Sequence, residues 1–108
     1  MDANHQPRTQ PFASFAEFYP FYLGEHANLA CRRLHFFGST LTLLCLVGLV
    51  VSLNPWWLLA AVVCGYGFAW IGHFFFEHNT PATFRHPLYS LMGDWLMYWQ
   101  IVTRQIPF

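Results

Sequence analysis

The sequence contains no lysine, and only 9% of its 108 residues are charged. Residues 35–53 and 56–76 contain no Asp, Glu, Lys or Arg at all. There is no run of basic residues and the formal net charge is zero, so we expect no nucleic-acid partner. Because 56% of this short chain is hydrophobic and 20% is aromatic, a water-soluble globular domain is not expected.

The two charge-free stretches predict a membrane hairpin. Each has about the 20 residues that a helix needs to cross a hydrocarbon core of about 30 Å. Only Asn54 and Pro55 separate them. The arginines lie outside the hairpin and not in its turn, which predicts that both termini face the cytoplasm. We expect the bacterial cytoplasmic membrane, or the endoplasmic reticulum in a eukaryote. The arginines are Arg8, Arg32, Arg33, Arg85 and Arg104.

Apolar residues recur at helical spacing on both sides of the hairpin. The first stripe contains Pro20, which we expect to kink or break it. The second follows Pro87 and contains Asp94, and it is too short to span comfortably, so we place it on the membrane surface or re-entrant. The predicted fold is an all-α integral membrane protein, a two-span hairpin flanked by amphipathic interfacial helices. Residues 12–108 form one domain after a flexible arm, residues 1–11.

Five of the six histidines lie near the same ends of the two apolar stretches. His35 opens the first stretch and His73 closes the second, so the hairpin brings them to similar depth. His26, His78 and His86 lie in the flanking segments. A single histidine at a membrane interface is more often an anchor than a ligand. Five near one face favour a metal site shared by at least three of them, on the cytoplasmic side.

Every fourth residue of the second stretch forms one ridge that leads to this site. The ridge consists of Ala61, Gly65, Ala69, His73 and Glu77. Small residues permit close helix approach, and the ridge places the imidazole and the carboxylate one turn apart. Glu77 is therefore either a metal ligand or a partner that orients an imidazole.

Two steps of this spatial argument depend on turns. His26 and His35 are nine residues apart, on opposite faces of a straight helix, so they share a site only if the chain turns between them. Asn28 can cap a helix there. His78 lies about 140° around the helix from His73, and it points inward only if the last turn unwinds. Asp94 is open to three interpretations: a ligand, a partner of Arg85, or a residue on a polar helix face.

The types of donor atom limit which metals can bind at this site. Imidazoles with a carboxylate suit nonhaem Fe(II), Zn or Cu. The three cysteines, Cys31, Cys45 and Cys64, form no CxxC pair, and two lie at membrane depth. We interpret them as packing residues without a disulfide, which argues against an iron–sulfur or Cys-rich zinc site.

The segments YLGEHANLACRRLHFFG and WIGHFFFEHNTPATFRHPLYSLMGD resemble the 2-hydroxy fatty acid dioxygenase family, whose fungal members act in fatty acid α-oxidation. The resemblance covers about residues 12–105. Its most specific parts are a His-x8-His-x2-Gly spacing and a GHxxxE…PA pattern. These correspond to His26, His35 and Gly38, and to Gly72, His73, Glu77, Pro81 and Ala82. His78 and His86 fall where relatives often differ, which makes them weaker ligand candidates.

The resemblance implies an Fe(II) enzyme that uses O₂ to cleave the C1–C2 bond of a long-chain 2-hydroxy fatty acid. The products are a fatty acid one carbon shorter and CO₂. An arginine can pair with the substrate carboxylate. The expected metal ligands are His26, His35, His73, His78 and His86, and the expected catalytic residues are Glu77, Asp94, Arg33 and Arg85.

Two other functions stay open at this point. One is a noncatalytic membrane hairpin, a scaffold or assembly protein whose histidines anchor it or hold zinc. The other is a metal-dependent enzyme that acts on a different lipid. The sequence leaves the oligomeric state open, including a homo-oligomer, and it leaves open the chain length of the substrate.

Overall fold

The computed structural model describes residues 12–108, which form helices and no strand. The arm predicted for residues 1–11 lies outside the described residues. Four α-helices follow one another along the chain. Their bounds are α1, Phe15–Gly24; α2, Leu29–Ser52; α3, Trp56–Ile71; and α4, Pro87–Val102. A π-helical turn, Gly72–Glu77, continues α3, and a 3-10 turn, Ala82–Phe84, precedes α4.

The two long helices confirm that the chain contains a hairpin long and apolar enough to cross a membrane. Leu29–Ser52 and Trp56–Glu77 both meet the requirement by length and composition. The helix α2 begins six residues earlier than the predicted span, because Asn28 caps it. The side-chain Oδ1 of Asn28 accepts hydrogen bonds from the backbone N–H groups of Ala30 at 2.9 Å and Cys31 at 3.2 Å.

The short connection between α2 and α3 is fixed by local hydrogen bonds. Leu53 ends α2 in the left-handed region with φ 57°. The Oδ1 of Asn54 then accepts from the backbone N–H of Trp56 at 3.0 Å, which caps the first turn of α3. The next helix therefore starts directly beside the end of the first.

The helix α1 packs against α4 beside the hairpin. It starts at the N-cap Ser14, whose Oγ accepts from the backbone N–H of Glu17 at 3.2 Å. Of the kink or break predicted at Pro20, the break is wrong: the helix runs through this residue, which has an exposed side chain. Four buried side chains join the two helices: Phe18, Tyr22, Met97 and Ile101. This small core packs α1 against the second half of α4.

Candidate metal centre

Three buried histidines meet where α1 ends, α2 begins and α3 gives way to the π-helical turn. They are His26, His35 and His73, with exposed fractions of 1%, 5% and 2%. One ligand atom from each lies within 4.8 Å of the others. The Nε2 atoms of His26 and His35 are only 3.0 Å apart. The structure thus forms a candidate three-imidazole metal site.

The chain turns between His26 and His35, as a site shared by these two residues requires. The helix α1 ends before His26, and α2 starts anew after Asn28. Because the chain changes direction between the two helices, histidines nine residues apart face each other. The expectation that Asn28 caps a helix at this turn is confirmed.

Two of the imidazoles are oriented by backbone carbonyl groups. The Nδ1 of His26 lies 2.7 Å from the carbonyl oxygen of Tyr22, and the Nδ1 of His35 lies 2.9 Å from that of Cys31. A carbonyl oxygen can only accept, so each Nδ1 carries the hydrogen. In the neutral imidazole, Nε2 then holds a lone pair. Both lone pairs are available to the centre of the cluster.

The third imidazole is oriented by an asparagine side chain. The Nδ1 of His73 lies 2.7 Å from the Oδ1 of Asn79. The Nδ2 of Asn79 donates to the backbone carbonyl of Glu25 at 3.0 Å and to its Oε2 at 2.5 Å. These two acceptors fix the orientation of the amide, so its oxygen faces His73 and accepts from Nδ1–H. The Nε2 of His73 is therefore also a lone-pair donor.

A cation fits this arrangement better than a proton does. Three outward Nδ1–H groups are satisfied by oxygen acceptors, as is usual for histidines that bind metals. Two Nε2 atoms without hydrogens approach within 3.0 Å, where only a shared positive centre makes the contact favourable. Burial, and next the neighbouring histidines, hold the pKa of His26 well below its ordinary value of 6.5. The imidazole is thus in the neutral form that metals require.

The π-helical turn brings His73 to the cluster. A π-helical turn is wider than an α-helical turn, and such turns are frequent at functional sites. Gly72 permits the close approach to α2, because a Cβ at this position would lie 3.0 Å from both the Cα and the Sγ of Cys31. His35 donates to the carbonyl of the same Cys31. The contact at Gly72 therefore joins two of the three candidate ligands.

Glu77 connects the end of this turn to the start of α2. Its Oε2 accepts from the backbone N–H of Asn28 at 2.7 Å. The Nδ2 of Asn28 donates to the carbonyl of Phe76 at 3.3 Å. The Glu77 carboxylate thus hydrogen-bonds to the cap of α2 and not to an imidazole. It supports the site by holding two helix ends together.

Tyr22 and Asp94 form a second polar layer beside the histidines. The ring of Tyr22 stacks on that of His26 with 4.0 Å between centroids, and its hydroxyl donates to the Oδ1 of Asp94. Gly93 permits this contact, since a Cβ there would lie 2.9 Å from the Tyr22 ring. Burial raises the pKa of Asp94 to about 7, although the Tyr22 hydrogen bond opposes the shift. Burial likewise raises the pKa of Tyr22.

Two cavities meet at this layer. The first, which we call the histidine pocket, has a volume of about 10 Å³, roughly that of one water-sized sphere. The three histidines, Tyr22, Ser90 and Asp94 are among its lining residues. The second, which we call the groove, has a volume of about 280 Å³ and lies between α2, α3 and α4. His35 and Asp94 line both cavities.

The groove is mostly apolar and runs along the hairpin. It extends along α2 from His35 to Leu46, which are 11 residues and thus roughly 16 Å apart. Ala61, Gly65 and Ala69, the small residues of the predicted ridge, line it on the α3 side. Their small side chains leave space beside the helix in addition to permitting close packing. The arrangement suits an amphiphile with a polar head at the histidines and an alkyl tail in the groove.

The remaining predicted site residues lie away from the three-histidine cluster. His78 is exposed, in the left-handed region with φ 58°, and Arg85 is exposed at the end of the 3-10 turn. The ring of His86 packs 5.2 Å from Phe12 and 5.4 Å from Phe18, and the guanidinium of Arg33 lies 5.1 Å from the Phe108 ring. The catalytic or ligand roles assigned to them stay predictions.

Several residues that build the site were not identified from the sequence. Asn79, the hydrogen-bond partner of His73, is not among the predicted site residues. Tyr22 and Ser90, which line the histidine pocket, are not among them either. Tyr22 has no clear sequence signal, because His26 lies beyond the end of α1 and the stacking of the two rings depends on the turn that follows the helix.

Comparison with known proteins identifies one family. The family model described as 2-hydroxy-palmitic acid dioxygenase Mpo1-like matches residues 12–106, nearly the whole chain. No curated protein and no solved structure matches the chain.

Proposed function

The chain belongs to the 2-hydroxy-palmitic acid dioxygenase Mpo1-like family, and we propose that it cleaves the C1–C2 bond of long-chain 2-hydroxy fatty acids with O₂. The single observation that carries this proposal is the buried triad of His26, His35 and His73, in which one ligand atom of each imidazole lies within 4.8 Å of the others. Among residues 12–108, no other group of three His, Cys, Asp or Glu side chains is close enough together to share a metal ion.

The donor set fits a divalent transition metal, and we propose Fe(II), with zinc as the alternative. Imidazole suits Fe, Zn and Cu. Structural zinc sites have four protein ligands, whereas catalytic sites hold the metal with three and leave a position for substrate. Among the described residues, the cluster offers three. When bound, the metal would supply orientation of the substrate and activation of O₂.

The proposed reaction needs no electron donor other than its substrate. The acid R–CHOH–COOH and O₂ give R–COOH, CO₂ and H₂O. The C1–C2 bond breaks, and the four electrons that reduce O₂ all come from the substrate. No reductase domain or nicotinamide cofactor is therefore needed.

The chain's own groups provide the remaining requirements. The backbone carbonyl oxygens of Tyr22 and Cys31 and the side-chain Oδ1 of Asn79 accept hydrogen bonds from the three imidazoles and hold their tautomers. The groove receives the alkyl chain and excludes water from it. Asp94 lies where the groove meets the histidine pocket. We place the site at the cytoplasmic face of a membrane, where an amphiphile has its head at the surface and its tail in lipid.

The test compares detergent-purified wild type with His73→Ala and with the matched control His78→Ala. We expect about one iron per chain in wild type and in the control after Fe(II) loading under argon, measured by mass spectrometry, and loss of iron in His73→Ala. On admission of O₂, 2-hydroxypalmitate should give pentadecanoic acid and CO₂. Tightly held zinc without turnover, or no bound metal in any of the three proteins, would contradict the proposal.

A further inference from the structure

Ser90 has a buried hydroxyl without a hydrogen-bond partner. Its exposed fraction is 2%, and its Oγ makes no hydrogen bond to any of residues 12–108. Ser90 lines the histidine pocket. Buried hydroxyl groups in proteins nearly always have a partner, since leaving one unpaired is unfavourable. The position of Ser90 therefore indicates a ligand group that accepts a hydrogen bond inside this pocket.

Asp94 lies one helical turn after Ser90, on the same face of α4. Its Oδ1 accepts from the Tyr22 hydroxyl. Its second oxygen, Oδ2, makes no hydrogen bond within the described part of the chain. Asp94 lines both the histidine pocket and the groove, and His35 does the same, so these two residues mark the junction of the cavities.

The positions of the two cavities define an orientation for a bound 2-hydroxy acid. If one carboxylate oxygen on C1 occupies the histidine pocket, which has room for about one water-sized group, and the tail from C3 onward lies in the groove, C2 lies at the junction. The hydroxyl on C2 is then beside Asp94, and the carboxylate on C1 is beside Ser90. No arginine lines either cavity within residues 12–108. Arg32 and Arg33 instead donate to the carbonyl groups of Pro107 and Phe108.

We propose that Ser90 and Asp94 recognise the head group of the substrate from α4, opposite the histidines. The Ser90 hydroxyl donates to the carboxylate, and the Asp94 carboxylate accepts from the 2-hydroxyl. Tyr22 positions Asp94 by holding its other oxygen. This inference rests on the proposed function, and it assigns to Asp94 the distinction between 2-hydroxy acids and unsubstituted fatty acids.

The experiment measures equilibrium binding instead of turnover. Radiolabelled 2-hydroxypalmitate and palmitate are bound under argon to the Fe(II)-loaded protein in detergent. The variants are Ser90→Ala, Ser90→Thr and Asp94→Ala, each with its metal content determined. Thr103→Ala is the matched control, because it removes an exposed hydroxyl at the end of the same helix.

The roles proposed for Ser90 and Asp94 predict different changes in the affinities for the two acids. Ser90→Ala should weaken both acids about 10-fold, the effect of one lost hydrogen bond, because both carry a carboxylate. Ser90→Thr should restore binding. Asp94→Ala should weaken 2-hydroxypalmitate about 10-fold more than palmitate, so the preference of the wild type disappears. A general structural loss in Asp94→Ala would lower both affinities and leave their ratio unchanged. For Ser90→Ala, which lowers both affinities in either case, recovery in Ser90→Thr distinguishes the lost hydroxyl from a structural loss.

The outcomes separate this inference from the proposed function. If wild type converts 2-hydroxypalmitate but Ser90→Ala binds both acids as wild type does, or Asp94→Ala keeps the preference, the inference is wrong and the function stands. If wild type neither retains iron nor prefers 2-hydroxypalmitate, the proposed function itself is wrong. Unchanged binding in Thr103→Ala is required for either conclusion.

Discussion

The two ends of the helical hairpin are built in different ways. At the turn between α2 and α3, Val51 and Leu53 are 80% and 81% exposed. The side-chain hydrogen bonds there join residues close in the sequence, as between Asn54 and Trp56. At the histidine end, His73 is 2% exposed, and Asn79 bonds to Glu25, 54 residues away. One end is held by local bonds and the other by long-range polar bonds.

The difference shows how one pair of helices can carry both a membrane-compatible surface and a polar centre. Local bonds at the turn determine where one helix stops and the next begins. Long-range bonds at the histidine end fix the positions of α1, α2 and the π-helical turn relative to each other. Each such bond orients an imidazole or a helix cap, so changes at this end should alter metal binding, while matched changes at the turn should not.

The largest expected effect is the difference in metal affinity between Asn79→Ala, at the histidine end, and Asn54→Ala, at the turn between α2 and α3. Asn79→Ala removes the acceptor for the Nδ1–H of His73, and loss of such a partner typically lowers metal affinity roughly 10- to 100-fold. Asn54→Ala removes only the cap of α3. Competition with a metal chelator measures both affinities. Equal affinities in the two variants would show that the tautomer of His73 does not depend on Asn79.

A glycine pair tests the close packing beside the histidines. Gly72→Ala places a Cβ 3.0 Å from Cys31, and overpacking of this kind costs about 1 to 3 kcal/mol. Gly67→Ala is the control, because nothing lies within 4 Å of its added Cβ, and alanine there should stabilise the helix by about 0.5 to 1 kcal/mol. Thermal unfolding in detergent gives both values. If Gly72→Ala is as stable as Gly67→Ala, the contact with Cys31 is not restrictive.

The smallest effect should appear in the pH dependence of the metal-free protein. Burial lowers the pKa of His26 in the folded state, whereas the unfolded chain takes up a proton near the ordinary value of 6.5. The stability from this residue is therefore present above pH 6.5 and is lost as the pH falls. At pH 5.5 the loss should be about 1.4 kcal/mol. Chemical denaturation at pH 7.5 and 5.5 measures it, with His26→Gln as the control; an identical slope in that variant would assign the loss to other groups.

The hairpin could be predicted because its determinants are local. Two long charge-free stretches and the Asn-Pro pair between them predict the spans and their turn directly. The start of α2 was placed too late, because the prediction relied on the apolar run and gave too little weight to the cap at Asn28. Arg32 and Arg33 lie in the first turns of this helix, where composition alone did not predict helix.

The histidine site could be predicted only in part. The hairpin topology brings His35 and His73 together, and the turn at Asn28 adds His26. The sequence could not separate His86 from this set, because its aromatic surroundings depend on how α1 packs against α4. The role of Asn79 follows from the π-helical turn and the left-handed residue before it, and neither has a clear sequence signal.

The tautomers of the three imidazoles have a consequence for charge. All three donors are neutral, so a divalent cation in their centre would keep both of its charges. A charge buried in a protein needs an opposite charge nearby. Asp94, which lines the histidine pocket, and Glu25 and Glu77, whose charges act on His73, meet part of that need, and the acid that binds in the groove adds a further carboxylate. Metal and anionic ligand should therefore bind with positive thermodynamic linkage, each raising the affinity of the other by the same factor.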